Sequence, residues 1–159
     1  YILEAVKKLK ADKVPFTLHF AGKEETQDEY IPQFKSELGE SFIYHGVVFG
    51  KVKSNLLKQC DVFLLPSFYE GLPMSLLETM SYGMVPVVTP VGSIPTVVSD
   101  NVNGLYVGLK KSDDIVSTIH HLCKDKALLN RLSSEAQNTI VSLFEDKVYI
   151  AKLNSWYNN

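Results

Sequence analysis

Residues 61–88, DVFLLPSFYEGLPMSLLETMSYGMVPVV, leave little freedom to the fold around them. The apolar run Val62, Phe63, Leu64, Leu65 is stopped by Pro66 and Ser67, and after a turn at Glu70 and Gly71 a helical pattern begins at Pro73. Proline suits a first helical position, Leu76, Leu77 and Met80 recur at helical spacing, and Gly83 supplies a stop, so the helix is expected over residues 73–82. A second apolar strand, residues 85–88, follows at once. A strand, helix and strand joined so closely form a right-handed unit with parallel strands. The loop of residues 66–72 then lies at the carboxyl edge of the sheet, where open α/β folds bind ligands.

The helix start offers backbone N–H groups at Met74, Ser75 and Leu76 and the positive end of the helix dipole, which favour an anion such as phosphate. Glu70 precedes the helix, and Glu78 lies about 7–8 Å along its axis at 1.5 Å per residue, so the two carboxylates reach different depths. Carboxylates repel a phosphate unless their task is to accept hydrogen bonds from neutral groups. The vicinal hydroxyls of a ribose and of a hexose, joined through a diphosphate, are such groups. Any two glutamates taken alone are more often a solvated helix residue and a loop-tip charge; the surrounding pattern argues for more.

Composition narrows the partners. With 45% hydrophobic and 21% charged residues over 159 positions, the chain can bury a full core as one domain. A net charge of −2 and a single arginine, Arg131, exclude the basic stripe that a nucleic-acid backbone requires. Cys60 and Cys123 read as buried free thiols, consistent with a reducing cytoplasm. His19, His45, His120 and His121 show no metal-ligand spacing, so no metal is expected. No apolar run is long enough to span a bilayer.

Taken in order, Ile2, Leu3, Val6 and Leu9 mark an amphipathic helix under way at the first residue, which suggests that a longer protein precedes it. A buried strand is expected over residues 16–20, a polar helix over 24–38 with Pro32 near its first turn, a short strand over 42–45, a loop over 46–50 and a short helix over 53–59. After Val88 comes a Gly/Pro loop, residues 89–95, at the same sheet edge, then a short helix to Val98 and a tight turn at Asn103 and Gly104 into a strand over 105–107. Helices follow around Ile115 and Leu122 and from Leu128 towards Phe144, with a closing amphipathic helix within residues 145–159. Alternating strands and helices with short joints predict a doubly wound, Rossmann-like parallel sheet.

The pattern Pro66, Ser67, Glu70, Gly71, Leu72, Pro73, Leu76, Leu77, Glu78, Met80, Gly83, Pro86, Val87, Val88 resembles the donor-binding signature of the family-4 retaining glycosyltransferases of GT-B fold. The resemblance extends along nearly the whole chain, through residues 1–5, 20–22, 42–46, 91–95 and 101–107. It implies the carboxyl-terminal, donor-binding half of such an enzyme. The first strand and the acceptor-binding half would then lie outside these 159 residues, and the fragment alone would be inactive.

Carried over by position, the resemblance implies that Glu78 accepts from the donor ribose and that Glu70 holds hydroxyls of the transferred sugar. It also implies that backbone N–H groups at Leu72, Met74, Ser75 and Leu76, with the Ser75 hydroxyl, hold the diphosphate. Gly71 would leave room for the sugar, Gly22 would end a strand that meets the donor, and Val47 and Val48 would wall the nucleobase. Lys23 would partly replace an Arg and a Lys that the family carries upstream of Tyr1. The second glycine loop carries Ser93 and Thr96 where the family has Gly and Glu, so its contacts to sugar or acceptor differ; Leu72 stands for a more usual Phe.

The substrate implied is a nucleotide-diphosphate sugar, with UDP the first carrier to test, and no separate cofactor. The implied acceptor is a glycan or a lipid-linked sugar, and the intact protein could sit at the inner face of a membrane. Two other readings share the site. A nucleotide-sugar epimerase of the same architecture, or a non-catalytic nucleotide-sugar-binding domain, would take the same ligand. A glycosidase is a third, because paired carboxylates about 5–9 Å apart also serve hydrolysis, yet a helix start aimed between them has no work on a neutral glycoside.

Overall fold

The computed structural model describes residues 1–23 and 30–144. The helix expected over residues 24–38 is therefore described only from Tyr30, and the closing helix within 145–159 lies outside the described residues. The elements are α1 (Ile2–Ala11), β1 (Leu18–Ala21), α2 (Tyr30–Leu38), β2 (Phe42–Gly46), α3 (Gly50–Leu57), β3 (Val62–Leu65), α4 (Met74–Ser81), β4 (Val85–Val88), β5 (Leu105–Tyr106), α5 (Ser112–Lys124) and α6 (Lys126–Phe144). Among the described residues every strand pairing is parallel, and the strands form two ladders, β1-β2 and β3-β4-β5. The class is α/β, as the alternation of patterns requires.

Two compact units divide the chain: Tyr1–Gln59 with Lys110–Lys124, and Cys60–Leu109 with Asp125–Asn159. In the first, α1 buries Ala5, Val6 and Leu9, positions one helical face apart. Val6 joins Ile31, Leu38 and Phe42 in one apolar cluster, and Phe34 stacks on Phe42 with centroids 5.2 Å apart. Pro32 lies within α2.

His19 of β1 and His45 of β2 stack 5.2 Å apart, with Nδ1 of the former 3.0 Å from Nε2 of the latter. One ring must donate and the other accept, so the pair needs at least one neutral imidazole. Burial, and then the neighbouring His45, push the His19 pKa below its ordinary 6.5. Above 6.5 both the folded and unfolded chains hold a neutral ring. As pH falls below 6.5 the unfolded chain takes up the proton first, so stability declines until the lowered folded value is passed. Melting followed from about pH 7.5 to about pH 5.5 is expected to show a larger loss in the native chain than in His19→Gln.

In the second unit, β4 is the central strand and all four of its residues are buried. Parallel strands covered on both faces take continuous Val-rich runs of this kind. Leu76, Leu77 and Met80 of α4 pack with Val88, Ile94, Val97, Val98 and Ala136. The short helix expected before Val98 is a single 3-10 turn, Ile94–Thr96. In the turn into β5 the left-handed residue is Asn101, with φ 58°. Gly104 is required by closeness, since a Cβ there would lie 2.6 Å from Pro86 Cγ and 2.7 Å from Val98 Cγ1.

Arg131 donates from α6 to the Asn101 carbonyl at 3.0 Å, a structural task that accounts for the chain's one arginine. Cys60 and Cys123, expected to be buried, are half-buried free thiols. Among the described residues no helix is long and apolar enough to cross a membrane.

Candidate functional site

Register decides where the site must be. Val62, Phe63, Leu64 and Leu65 pair with Val85, Pro86, Val87 and Val88, and Val87 and Val88 pair with Leu105 and Tyr106. Leu65, Val88 and Tyr106 therefore leave the ladder at one carboxyl edge, and the segments that follow them meet there. The loop after β3 carries Glu70, Gly71 and Leu72 into α4. The loop after β4 carries Gly92 and Ser93. A cavity of about 310 Å³ at this edge is lined by Pro90, Val91, Tyr106, Val107, Gly108 and Leu109.

Helix α4 sorts its residues by face. Leu76, Leu77, Thr79 and Met80 are buried, while Met74, Ser75 and Glu78 share the accessible face at three- and four-residue spacing. Met74 is 73% exposed, so its side chain serves no core. Pro73 stands at the N-cap, with φ −70° and ψ 123°, and not at the first helical position that the sequence suggested. That shift has a consequence for the N–H groups. The Pro73 carbonyl accepts from Leu76 N–H at 3.0 Å and from Leu77 N–H at 3.4 Å. Leu76, expected to offer a donor to an anion, is already engaged, and its side chain is fully buried. The N–H groups of Leu72, Met74 and Ser75 meet no backbone acceptor among the described residues.

Glu70 is half-buried, and its carboxylate finds no hydrogen bond or ion pair among the described residues. Gly71 does not need glycine for its backbone angle, and a Cβ there would meet no protein atom within 4 Å. Gly92 is the opposite case: its φ is +57°, and a Cβ would fall 1.7 Å from the Glu70 carbonyl oxygen. Ser93 N–H donates to the Gly71 carbonyl at 3.1 Å. Thr89, fully buried, donates its Oγ1–H to the Ser67 carbonyl. Thr89 was not singled out from the sequence; the signal for it is a lone hydroxyl closing the apolar run of β4.

The remaining sequence-predicted residues lie in the first unit, at the carboxyl end of the β1-β2 ladder. Gly22 N–H donates to the Gly46 carbonyl at 2.8 Å, and Tyr44 Oη–H donates to the Gly22 carbonyl at 3.0 Å, so Gly22 sits beside the loop that Val47 begins. The φ of 147° at Gly22 is one that a side chain would oppose. Lys23 is exposed, Val47 is 56% exposed and Val48 is half-buried. Among the described residues no group of three or more His, Cys, Asp or Glu is placed to hold a metal ion.

An edge of this kind, with uncommitted N–H groups at a helix start and acidic side chains before and within it, can bind an anion joined to a polyol. Known proteins are similar in fold, and others in sequence. A sucrose-phosphate synthase from Thermosynechococcus elongatus superposes with a TM-score of 0.81 at 18% identity, over 99% of this chain and 41% of that one. A protein from Anabaena solved with UDP-glucose superposes with a TM-score of 0.77 at 18% identity, over 97% of this chain and 44% of that one. At such identities the likeness establishes the fold alone.

In sequence, a UDP-Gal:alpha-D-GlcNAc-diphosphoundecaprenol alpha-1,3-galactosyltransferase from Escherichia coli is 31% identical over 103 residues. That match covers 65% of this chain and 26% of the relative's length. The family profile described as glycosyl transferases group 1 matches residues 1–139. The chain belongs to the glycosyl transferases group 1 family.

Proposed function

We propose that this chain supplies the nucleotide-sugar site of a family-4 retaining glycosyltransferase, which moves a sugar from a nucleotide diphosphate to an acceptor hydroxyl. One observation carries the reading: the start of α4 leaves the Met74 and Ser75 N–H groups uncommitted within a loop and helix face that also hold Glu70 and Glu78. The diphosphate accepts from those N–H groups and from the Ser75 hydroxyl. Glu78 accepts from the ribose, and Glu70 from the sugar that is transferred. The open space around Gly71 receives the sugar ring.

As the bond from the anomeric carbon to the diphosphate oxygen breaks, its electron pair stays on the diphosphate. The acceptor oxygen bonds to the anomeric carbon, and its proton leaves with the departing diphosphate. Charge therefore grows where fixed N–H donors already point, so no reorganisation is needed in the transition state. The oxocarbenium character that develops on the sugar suits a nearby carboxylate.

The name of the Escherichia coli relative joins a UDP-linked galactose to a diphosphoundecaprenol acceptor. That supports UDP as carrier and a lipid-linked sugar as acceptor here, with the intact protein peripheral at the inner face of a membrane. This chain covers 26% of that relative's length. It binds donor but does not turn over until joined to an acceptor-binding half.

Titration of the chain with UDP, GDP, ADP and UDP-hexoses tests the reading. UDP at about 100 times its Kd is expected to add about 2.7 kcal/mol to the unfolding free energy, seen as a rise in Tm. Failure of every nucleotide to bind at about millimolar concentration would overturn it. The anomeric configuration of the product made by the full-length protein tests retention.

A further inference from the structure

The Glu70 carboxylate has no partner among the described residues, so its position depends on the backbone beneath it. That backbone is gripped at three points by the segment that follows β4. Thr89 Oγ1–H donates to the Ser67 carbonyl, three residues before Glu70. Gly92 packs its Cα against the carbonyl of Glu70 itself, closely enough that an added Cβ would lie 1.7 Å from the oxygen and 2.8 Å from the carbon. Ser93 N–H donates to the Gly71 carbonyl at 3.1 Å. Residues 89–93 are in turn anchored by the buried strand β4 and by the fully buried Ile94.

We propose that residues 89–93 form a clamp that sets the height of Glu70 above the sheet edge, with Gly92 and Thr89 as positioning residues for the bound sugar. This rests on the reading that Glu70 holds hydroxyls of the transferred sugar. The contacts made by Thr89, Gly92 and Ser93 are to the loop residues Ser67, Glu70 and Gly71, while the diphosphate donors Met74 and Ser75 belong to α4, which is held through Leu76, Leu77 and Met80 in a cluster that includes Ile94 but not Gly92 itself. Disturbing the clamp therefore displaces the sugar contact and spares the nucleotide contact. A residue with a merely structural role would weaken both together.

The glycine at position 92 answers two demands that a pair of substitutions separates. A φ of +57° is one that asparagine tolerates and alanine resists, whereas the close approach to Glu70 excludes any Cβ. The experiment measures, for each variant, Tm, the Kd of UDP, and the Kd of whichever UDP-hexose binds tightest among UDP-glucose, UDP-galactose and their N-acetylamino counterparts. The readout is the affinity for UDP-hexose relative to that for UDP.

Both Gly92→Ala and Gly92→Asn are expected to lower that ratio about tenfold while the Kd of UDP stays within about twofold, matching the fall produced by Glu70→Gln. Thr89→Val, which keeps the side-chain shape and removes only the donor, is expected to lower it about threefold and serves where the Gly92 variants fail to fold. A ratio unmoved by Gly92→Asn or by Thr89→Val, or a parallel loss of UDP and UDP-hexose binding, overturns the clamp. A ratio that Glu70→Gln itself leaves unchanged removes the sugar role of Glu70, and the clamp falls with it.

Discussion

Replacing Glu78 by alanine is expected to weaken UDP binding about 10- to 150-fold, the loss that accompanies a hydrogen bond of about 1.5–3 kcal/mol to a charged group. The expectation follows from the faces of α4. Glu78 is three residues beyond Ser75 and four beyond Met74, so it shares their accessible stripe while Leu76, Leu77 and Met80 turn inward. An anion seated at the first turn extends its ribose along that stripe, to the depth that a helical rise of 1.5 Å per residue sets.

Because Glu78 is half-buried and has a partner of its own in the folded chain, Tm is measured beside the UDP affinity of each variant. Binding and stability are thereby separated. Glu78→Gln, which keeps one acceptor and loses the charge, should fall between the native chain and Glu78→Ala. Calorimetry that found equal UDP affinity in all three would remove the ribose assignment, and the nucleotide would have to be placed elsewhere on this edge.

The largest effect on stability is expected at Asn103. This side chain is 4% exposed, yet it makes three hydrogen bonds. Its Oδ1 accepts from Ser99 N–H at 2.7 Å, and its Nδ2 donates to the Val97 carbonyl and to Thr139 Oγ1, each at 2.8 Å. One amide thus closes the turn before β5 and ties it to α6. Leucine has the same number and branching of side-chain heavy atoms, is somewhat bulkier, and satisfies none of these partners. The stranded Ser99 N–H and Val97 carbonyl each forfeit about 1–3 kcal/mol, so Asn103→Leu should cost about 2–4 kcal/mol overall.

For a chain of this size that is a fall of about 5–15 °C in Tm. Asn103→Asp should be no milder, since it keeps the acceptor for Ser99 and sets a second acceptor against the Val97 carbonyl. Equal melting of Asn103→Leu and the native chain would mean that the network contributes nothing net.

What could be read in the sequence was whatever depends on near neighbours. The run of β3, the loop, the faces of α4 and the run of β4 are encoded by apolar spacing within about ten residues, and the observed bounds fall within one or two positions of those expected. Glu70, Met74, Ser75 and Glu78 could be placed about the start of α4 by the same reasoning, because a helix start and its spacing are local facts, whereas the roles given to them come from the family resemblance.

Tertiary structure decided the rest, and sequence separation is the physical reason. Which N–H groups at the start of α4 remain uncommitted turned on Pro73 taking the cap position, a choice between two backbone conformations that proline permits equally. Thr89 reaches Ser67 across 22 residues, and Asn103 reaches Thr139 across 36. Gly92 looks from its neighbours like an ordinary loop glycine, and only the approach of Glu70 makes it irreplaceable. Local pattern determined the strand, the loop and the helix that carry this site; the contacts that hold its acidic loop at a working height exist only once distant segments have packed.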